Sequence, residues 1–218
     1  MARSKLQKFD ENAQNPQVVE PGKDFFSACS GNWHAEFFRN DHPIHLELAC
    51  GYGEYTVGMA EFFPDQNFIG IDVKGDRIAL GARIAKEKEL ENVGFLRCRL
   101  HEIEKFFAKN EISGIRVVFP DPRPRSRDLR RRITHGRYLN MYRDILRPEG
   151  WFSLKTDSDL FFEFTREQLQ GFSLADFIQT EDLYESPLLN EHYGIQTRYE
   201  RKWLAEGKTI KYLKCQFG

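Results

Sequence analysis

A chain of 218 residues, 40% of them hydrophobic, is long enough to bury a full core. Its 32 Lys and Arg stand against 33 Asp and Glu, a formal net charge of −1 that does not advertise a nucleic-acid binder. The polar start MARSKLQKFDENAQNPQ lacks the apolar stretch of a secretory signal, and no run approaches the ~18 apolar residues of a membrane span, so a cytoplasmic protein without a membrane partner is expected.

Residues 1–20 read as a flexible tail ahead of a single domain. Residues 24–38, DFFSACSGNWHAEFF, predict a helix with aromatics on one face. Strand and helix signals then alternate. IHLELAC (44–50) is a short apolar strand, followed by a glycine turn and the helical EYTVGMAEFF (54–63). NFIGIDV (67–73) predicts a strand, and GDRIALGARIAKEKELE (75–91) a helix with an apolar stripe and a charged face. VGFLRCRL (93–100) is a strand and HEIEKFFAKN (101–110) a short helix. GIRVVF (114–119) is another strand, a basic loop follows, and YLNMYRDIL (138–146) is helical. GWFSLKT (150–156), DLFFEFTREQLQ (159–170) and FSLADFI (172–178) predict strand, helix and strand, and residues 197–217 a helix and a last strand. Strands alternating with helices at this spacing predict a doubly wound, parallel α/β sheet with both faces covered.

The four cysteines, Cys29, Cys50, Cys98 and Cys215, are scattered, with no CxxC pair and no histidine at ligand spacing. They read as reduced core thiols, and no metal is expected.

In such a sheet ligands sit beyond the carboxyl ends of the strands. LELACGYGEYT places Gly51 and Gly53 at the first strand-to-helix turn, and Asp72 ends the second strand about twenty residues later. That arrangement suits an adenosine: glycines let the backbone approach, and the acid accepts from ribose hydroxyls. A dinucleotide fingerprint needs a third glycine where Thr56 stands. Glu47, inside the first strand, would repel pyrophosphate but attract a cation, which favours S-adenosylmethionine, a ligand with an ammonium, a sulfonium and no phosphate. Taken singly, the G-x-G is equally a plain turn, and Glu47 could face solvent from an edge strand.

RVVFPDPRPRSRDLRRRITHGRY (116–138) is the other unusual stretch. An apolar strand stops at Asp121, held between two prolines, and seven arginines follow within sixteen residues. Such a run is equally a solvated face pairing with acids, but here it abuts the predicted ligand edge, which favours contact with RNA phosphates. A carboxylate at the end of such a strand, as Asp121 is, can offset positive charge on a group bound at that edge, while the prolines limit the loop's wandering.

FPDPRPRSRDLRRR resembles the F-x-D-P-W-P-K-K-R-H signature of bacterial tRNA (guanine-N7)-methyltransferases. LELACGYGE, FIGIDV, LKTD and TRYERK fall where that family has its cofactor turn, its ribose acid, the end of its fifth strand and its T-x-[YF]-E segment. The resemblance covers the chain from about residue 40. It implies a mostly parallel, seven-stranded, Rossmann-like sheet, S-adenosylmethionine as methyl donor and tRNA as partner. Glu47, Ala49, Gly51, Gly53, Asp72 and Arg99 match cofactor-binding positions, and Asp121 the position that is both catalytic and next to the cofactor. Arg125 and Asp157 match substrate contacts, as do Thr197, Arg198, Tyr199 and Glu200; Arg127, Arg130 and Arg131 join them as candidate phosphate contacts. Three positions depart from the pattern. Ala49 replaces the first turn glycine, a mild change provided its φ is negative. Arg99 stands where an acid or amide normally meets the adenine, a contact that His101 or Glu102 could supply instead. Arg123 replaces the signature tryptophan, losing a stacking platform and adding charge. A same-fold methyltransferase on another RNA or a small substrate, and a non-catalytic RNA-binding homologue, remain open, as do monomer and homodimer.

Overall fold

A computed structural model describes residues 4–218. Helix α1, Lys5–Gln14, comes first, then strand β1, Val18–Val19. The core alternation is β2 Ile44–Leu48, α2 Glu54–Phe62, β3 Asn67–Asp72, α3 Gly75–Glu87, β4 Val93–Arg97, β5 Ile112–Val118, α4 Gly136–Ile145, β6 Leu146–Thr156, α5 Asp159–Leu169 and β7 Leu174–Thr180. Helix α6, Arg198–Ala205, and strand β8, Lys211–Phe217, complete it.

One eight-stranded sheet runs in the order β1-β4-β3-β2-β5-β6-β8-β7. The strands from β1 to β6 pair parallel, and β8 pairs antiparallel with both β6 and β7. β2, β3 and β5 are buried along their whole length, as strands covered on both faces must be, which is why they read as mostly apolar runs without polar alternation. The large core cluster joins Trp33, Phe107, Tyr142, Phe152 and Phe161 to Leu46, Ile69 and Ile115 of the strands. A second packs Tyr55, Met59 and Ile78 of α2 and α3 with Phe95. The order of strands reverses between β2 and β5, and there a cleft opens at their carboxyl ends.

Four expectations change. The α/β sheet has eight strands rather than seven, because the two valines of β1 pair with Phe95 and Leu96 at the edge. Residues 1–20 are not a free tail from Ser4 onward. Ser4 and Gln7 form a reciprocal capping box, and Asn12 and Asn15 donate side-chain hydrogen bonds to the carbonyls of Gly75 (2.8 Å) and Ala82 (3.2 Å), strapping α1 to α3. Residues 1–3 lie outside the described residues. The helix expected over 24–38 is a 3₁₀ turn, Asp24–Ser27, and a π-helical turn, Trp33–Phe38; Gly31, at φ 78°, lies between them. Residues 101–110 likewise contribute a 3₁₀ turn, Leu100–Lys105. No described helix is long and apolar enough to cross a membrane.

Candidate active site

The cleft has a volume of about 1190 Å³, and its lining gathers Glu47, Ala49, Gly51, Asp72, Asp121, Asp157, Thr197 and Tyr199 from separate stretches of sequence. At its floor the Glu47 carboxylate accepts from the Thr56 backbone N–H at 2.8 Å and from the Thr56 hydroxyl. The residue that breaks the dinucleotide fingerprint therefore fixes the acid, and sequence reasoning missed that role. Burial pushes the Glu47 carboxyl up to about 7, against the pull of those two hydrogen bonds, Lys155 and Arg116. Glu47 is 5% exposed and lies opposite Arg116 in the β2–β5 pairing. A cation placed at this carboxylate would hold it ionised.

The turn after β2 uses left-handed backbone at three positions: Ala49 φ 58°, Gly51 φ 57°, Gly53 φ 71°. Ala49 thus does need positive φ, and the change from glycine is not mild, since the left-handed region costs a side chain about 1–2 kcal/mol. A side chain at Gly51 would meet nothing within 4 Å, leaving the backbone open to a ligand. At Gly53 a Cβ would come within 2.6 Å of the Phe95 ring. Gly51 therefore serves the cleft and Gly53 the packing of α2 on the sheet. Asp72 accepts from the Gly51 N–H at 3.0 Å through one oxygen and from the Lys74 N–H at 2.9 Å through the other, so this acid is locked to the turn after β2. Lys74, Arg77 and Tyr52 also line this end.

Arg99 does not reach the cleft. It is exposed and caps the 3₁₀ turn after β4, and neither it nor His101 nor Glu102 is among the lining residues; Glu102 pairs with Lys105 at 2.9 Å. The departure at Arg99 thus lies outside the lining of the cleft.

At the other wall, Pro120, Asp121 and Pro122 sit between two left-handed residues, Phe119 at φ 47° and Arg123 at φ 45°. Asp121 accepts from the Arg123 N–H at 3.1 Å. The Phe119 N–H bonds the Lys155 carbonyl at 2.9 Å, tying the loop's start to β6. Its far end is pinned by Arg132, 4% exposed, whose guanidinium donates to the Arg123 carbonyl at 3.3 and 3.2 Å and lies 4.5 Å over the Phe164 ring. Arg132 is thus a loop anchor, although its place in the RRR run reads as another phosphate contact. Arg125, Arg127, Arg130 and Arg131 are exposed, the last paired with Asp128 at 3.1 Å, and none of the four lines the cleft itself. They border its Asp121 wall as a basic shelf.

Residues 197–200 divide their work. Thr197 and Tyr199 line the cleft. The Thr197 hydroxyl also caps α6, accepting from the Glu200 N–H at 3.2 Å. Arg198 turns to the cofactor end: its backbone N–H and its Nε donate to Glu54 at 3.0 and 3.1 Å, and its guanidinium lies 4.0 Å over the Tyr52 ring. Glu200 faces away from the cleft and is fully buried, held by Lys155 at 2.9 Å, His192 at 2.8 Å and the Tyr184 hydroxyl at 3.1 Å. Burial alone would raise its carboxyl, but His192 and Lys155 hold it below the usual range. Its direct contact with substrate is not supported by this placement; it braces α6 against β6. Asp157 lines the cleft and pairs with Lys208 at 3.2 Å.

An open turn, a fixed acid below it that suits a cation and a second acid at the end of the neighbouring strand fit S-adenosylmethionine rather than a pyrophosphate. Fold and cleft define the class as a Rossmann-like, S-adenosylmethionine-dependent methyltransferase. Residues 41–213 match a family described as "Putative methyltransferase". The chain is 43% identical to the tRNA (guanine-N(7)-)-methyltransferase of Cytophaga hutchinsonii, over 100% of this chain and 99% of that one. It is 42% identical to the enzyme of that name from Bacteroides thetaiotaomicron, over 98% and 86%. The solved structure of the 16S rRNA methyltransferase KamB shares the fold, with a TM-score of 0.64 at 15% identity over 87% of this chain and 94% of that one. The chain belongs to the tRNA (guanine-N(7)-)-methyltransferase family; it is an enzyme, and its methyl donor is S-adenosylmethionine.

Proposed function

We propose that this protein methylates N7 of a guanine in tRNA, with Asp121 as its catalytic residue. The observation that carries the reading is the position of Asp121: it lies in one cleft with the cofactor acids Glu47 and Asp72 and stands at the head of the exposed arginines. S-adenosylmethionine supplies an electrophilic methyl on a cationic sulfur. Glu47 faces its charged end, Gly51 leaves room for it, and Asp72 accepts from its ribose. Asp121 accepts from the guanine edge and offsets the positive charge that grows on the ring as N7 bonds the methyl carbon. Because N7 needs no deprotonation, the site requires no general base. Arg125, Arg127, Arg130 and Arg131 neutralise phosphates and set the strand's register. Asp157, Thr197 and Tyr199 hold the target nucleotide from the opposite wall, with Arg198 and Glu200 fixing the segment that presents them.

Such an enzyme would work in the cytoplasm, as a monomer or homodimer, in one domain and without a metal. Intact acids at Glu47 and Asp72 argue against a binder that has lost its cofactor site. The test is mass analysis of nucleosides from unmodified tRNA incubated with protein and S-adenosylmethionine. The reading expects 7-methylguanosine; methyl on another base, or none, overturns it.

A further inference from the structure

One corner of the cleft is built around a positive charge that no role above explains. Trp203, on α6, packs against Leu183, Ile210 and Tyr212, and it lines the cleft with Asp157, Lys208 and Asp121. The Lys208 ammonium sits over the Trp203 ring, 3.6 Å from its centroid, and donates to Asp157 Oδ2 at 3.2 Å. An indole face and a carboxylate therefore enclose one cation. Lys202 also approaches the ring, at 4.4 Å. The Lys208 side chain is 42% exposed and follows Gly207, φ 73°, in the turn after α6, so it can be displaced without unpacking the core.

We propose that Trp203 and Asp157 form a cation site that the target guanine takes over from Lys208 as it is methylated, which makes Trp203 a catalytic residue. This rests on the guanine-N7 reading. The N7 lone pair forms the new N–C bond, the electrons of the broken S–C bond remain on sulfur, and no proton moves. A full positive charge thereby passes from the sulfonium to the purine. Neutral guanine gains little from an indole face beyond stacking, whereas the cationic ring gains the ring quadrupole and the Asp157 charge as well. The interaction strengthens along the reaction and so lowers the barrier rather than merely tightening binding. Because Arg123 occupies the signature tryptophan's place in the loop, Trp203 is the tryptophan that the cleft presents.

The test compares binding of 7-methylguanosine monophosphate and guanosine monophosphate to the protein, by calorimetry in the presence of S-adenosylhomocysteine. The parent should prefer the methylated, cationic nucleotide by between about two- and thirtyfold. Trp203→Leu should lose that preference and slow single-turnover methyl transfer by a similar factor, and Trp203→Phe should fall between the two. A Trp203→Leu protein that melts like the parent and keeps the preference overturns the inference, as does a parent that binds both nucleotides alike or neither. If Trp203→Leu melts early, Trp203→Phe decides: a preference equal to the parent's is the overturning result. Failure here with 7-methylguanosine still formed in tRNA removes Trp203 alone, whereas absence of 7-methylguanosine removes the reading beneath it.

Discussion

At the end of the cleft where the proposed function seats the cofactor, the acids are already held. Glu47 is bonded twice to Thr56, Asp72 is bonded to two backbone N–H groups, and both sit within the sheet at less than a tenth exposure. On the side proposed for RNA, Arg125, Arg127, Arg130 and Arg131 reach into solvent on and beside a 3₁₀ turn, Ser126–Arg131, and the loop is fixed at its roots by the Phe119 N–H and by Arg132. A small, rigid cofactor rewards a finished socket, because every group ordered beforehand is entropy not lost on binding. A long polyanion rewards a shelf of exposed charge that attracts it from any approach. Asp121 stands between the two, on a loop whose bends at Phe119 and Arg123 adopt left-handed backbone. Such local strain, about 1–3 kcal/mol per residue, is tolerated where the surrounding structure imposes it.

The sharpest way to break this division is to change Asp121, which faces both halves. Asp121→Ala should fold and bind tRNA within a few-fold of the parent, yet transfer methyl about 10²–10³ more slowly in single turnover with both substrates saturating. A normally melting mutant keeping more than about a third of the rate would leave Asp121 a loop-shaping residue. Replacing Arg125, Arg127, Arg130 and Arg131 by Ala tests the shelf alone. The log–log salt dependence of tRNA binding should flatten by about 0.9 for each phosphate no longer neutralised, or about 0.7 on single strands, with S-adenosylmethionine affinity unchanged. An unchanged slope would mean the arginines are a solvated face.

The socket has its own signature in pH. Glu47 is mostly protonated below its value of about 7 and ionised above it. A cationic ligand favours the ionised form, so S-adenosylmethionine affinity should fall as pH drops through 7, by about fivefold from pH 7 to pH 6. Glu47→Gln should remove that dependence; a parent already flat over this range would place the cation elsewhere. The smallest effect belongs to Ala49. Relief of its left-handed strain, less the extra freedom of an unfolded glycine, should make Ala49→Gly about 0.5–1 kcal/mol more stable in a denaturant titration. A loss of stability would show that the turn holds Ala49 at no cost.

The same division sets what could be read from the sequence. Short apolar stretches bounded by glycine or proline turns reveal β2, β3 and β5, and with them the acid inside the first, Glu47, the acid that ends the second, Asp72, and the acid just beyond the third, Asp121, because strand composition and turn residues are local signals. Interactions between distant segments leave no such trace. Nothing in RRR marks Arg132 as the arginine that stacks on Phe164, and nothing in TRYE distinguishes the buried Glu200 from the cleft-facing Tyr199. The α1 strap was hidden for the same reason: its hold on α3 comes from two asparagine side chains in a polar stretch that composition alone assigns to solvent. One local signal, Ser4 with Gln7 at capping-box spacing, could have revealed it.

The claim that the cofactor half is complete before RNA arrives is tested most directly by calorimetric titration of S-adenosylmethionine into RNA-free protein, with Asp72→Ala alongside. One-to-one binding is expected without tRNA, weakened about ten- to a hundredfold in Asp72→Ala by the loss of one charged hydrogen-bond partner. No binding until tRNA is added, or equal affinity in the two proteins, would contradict it.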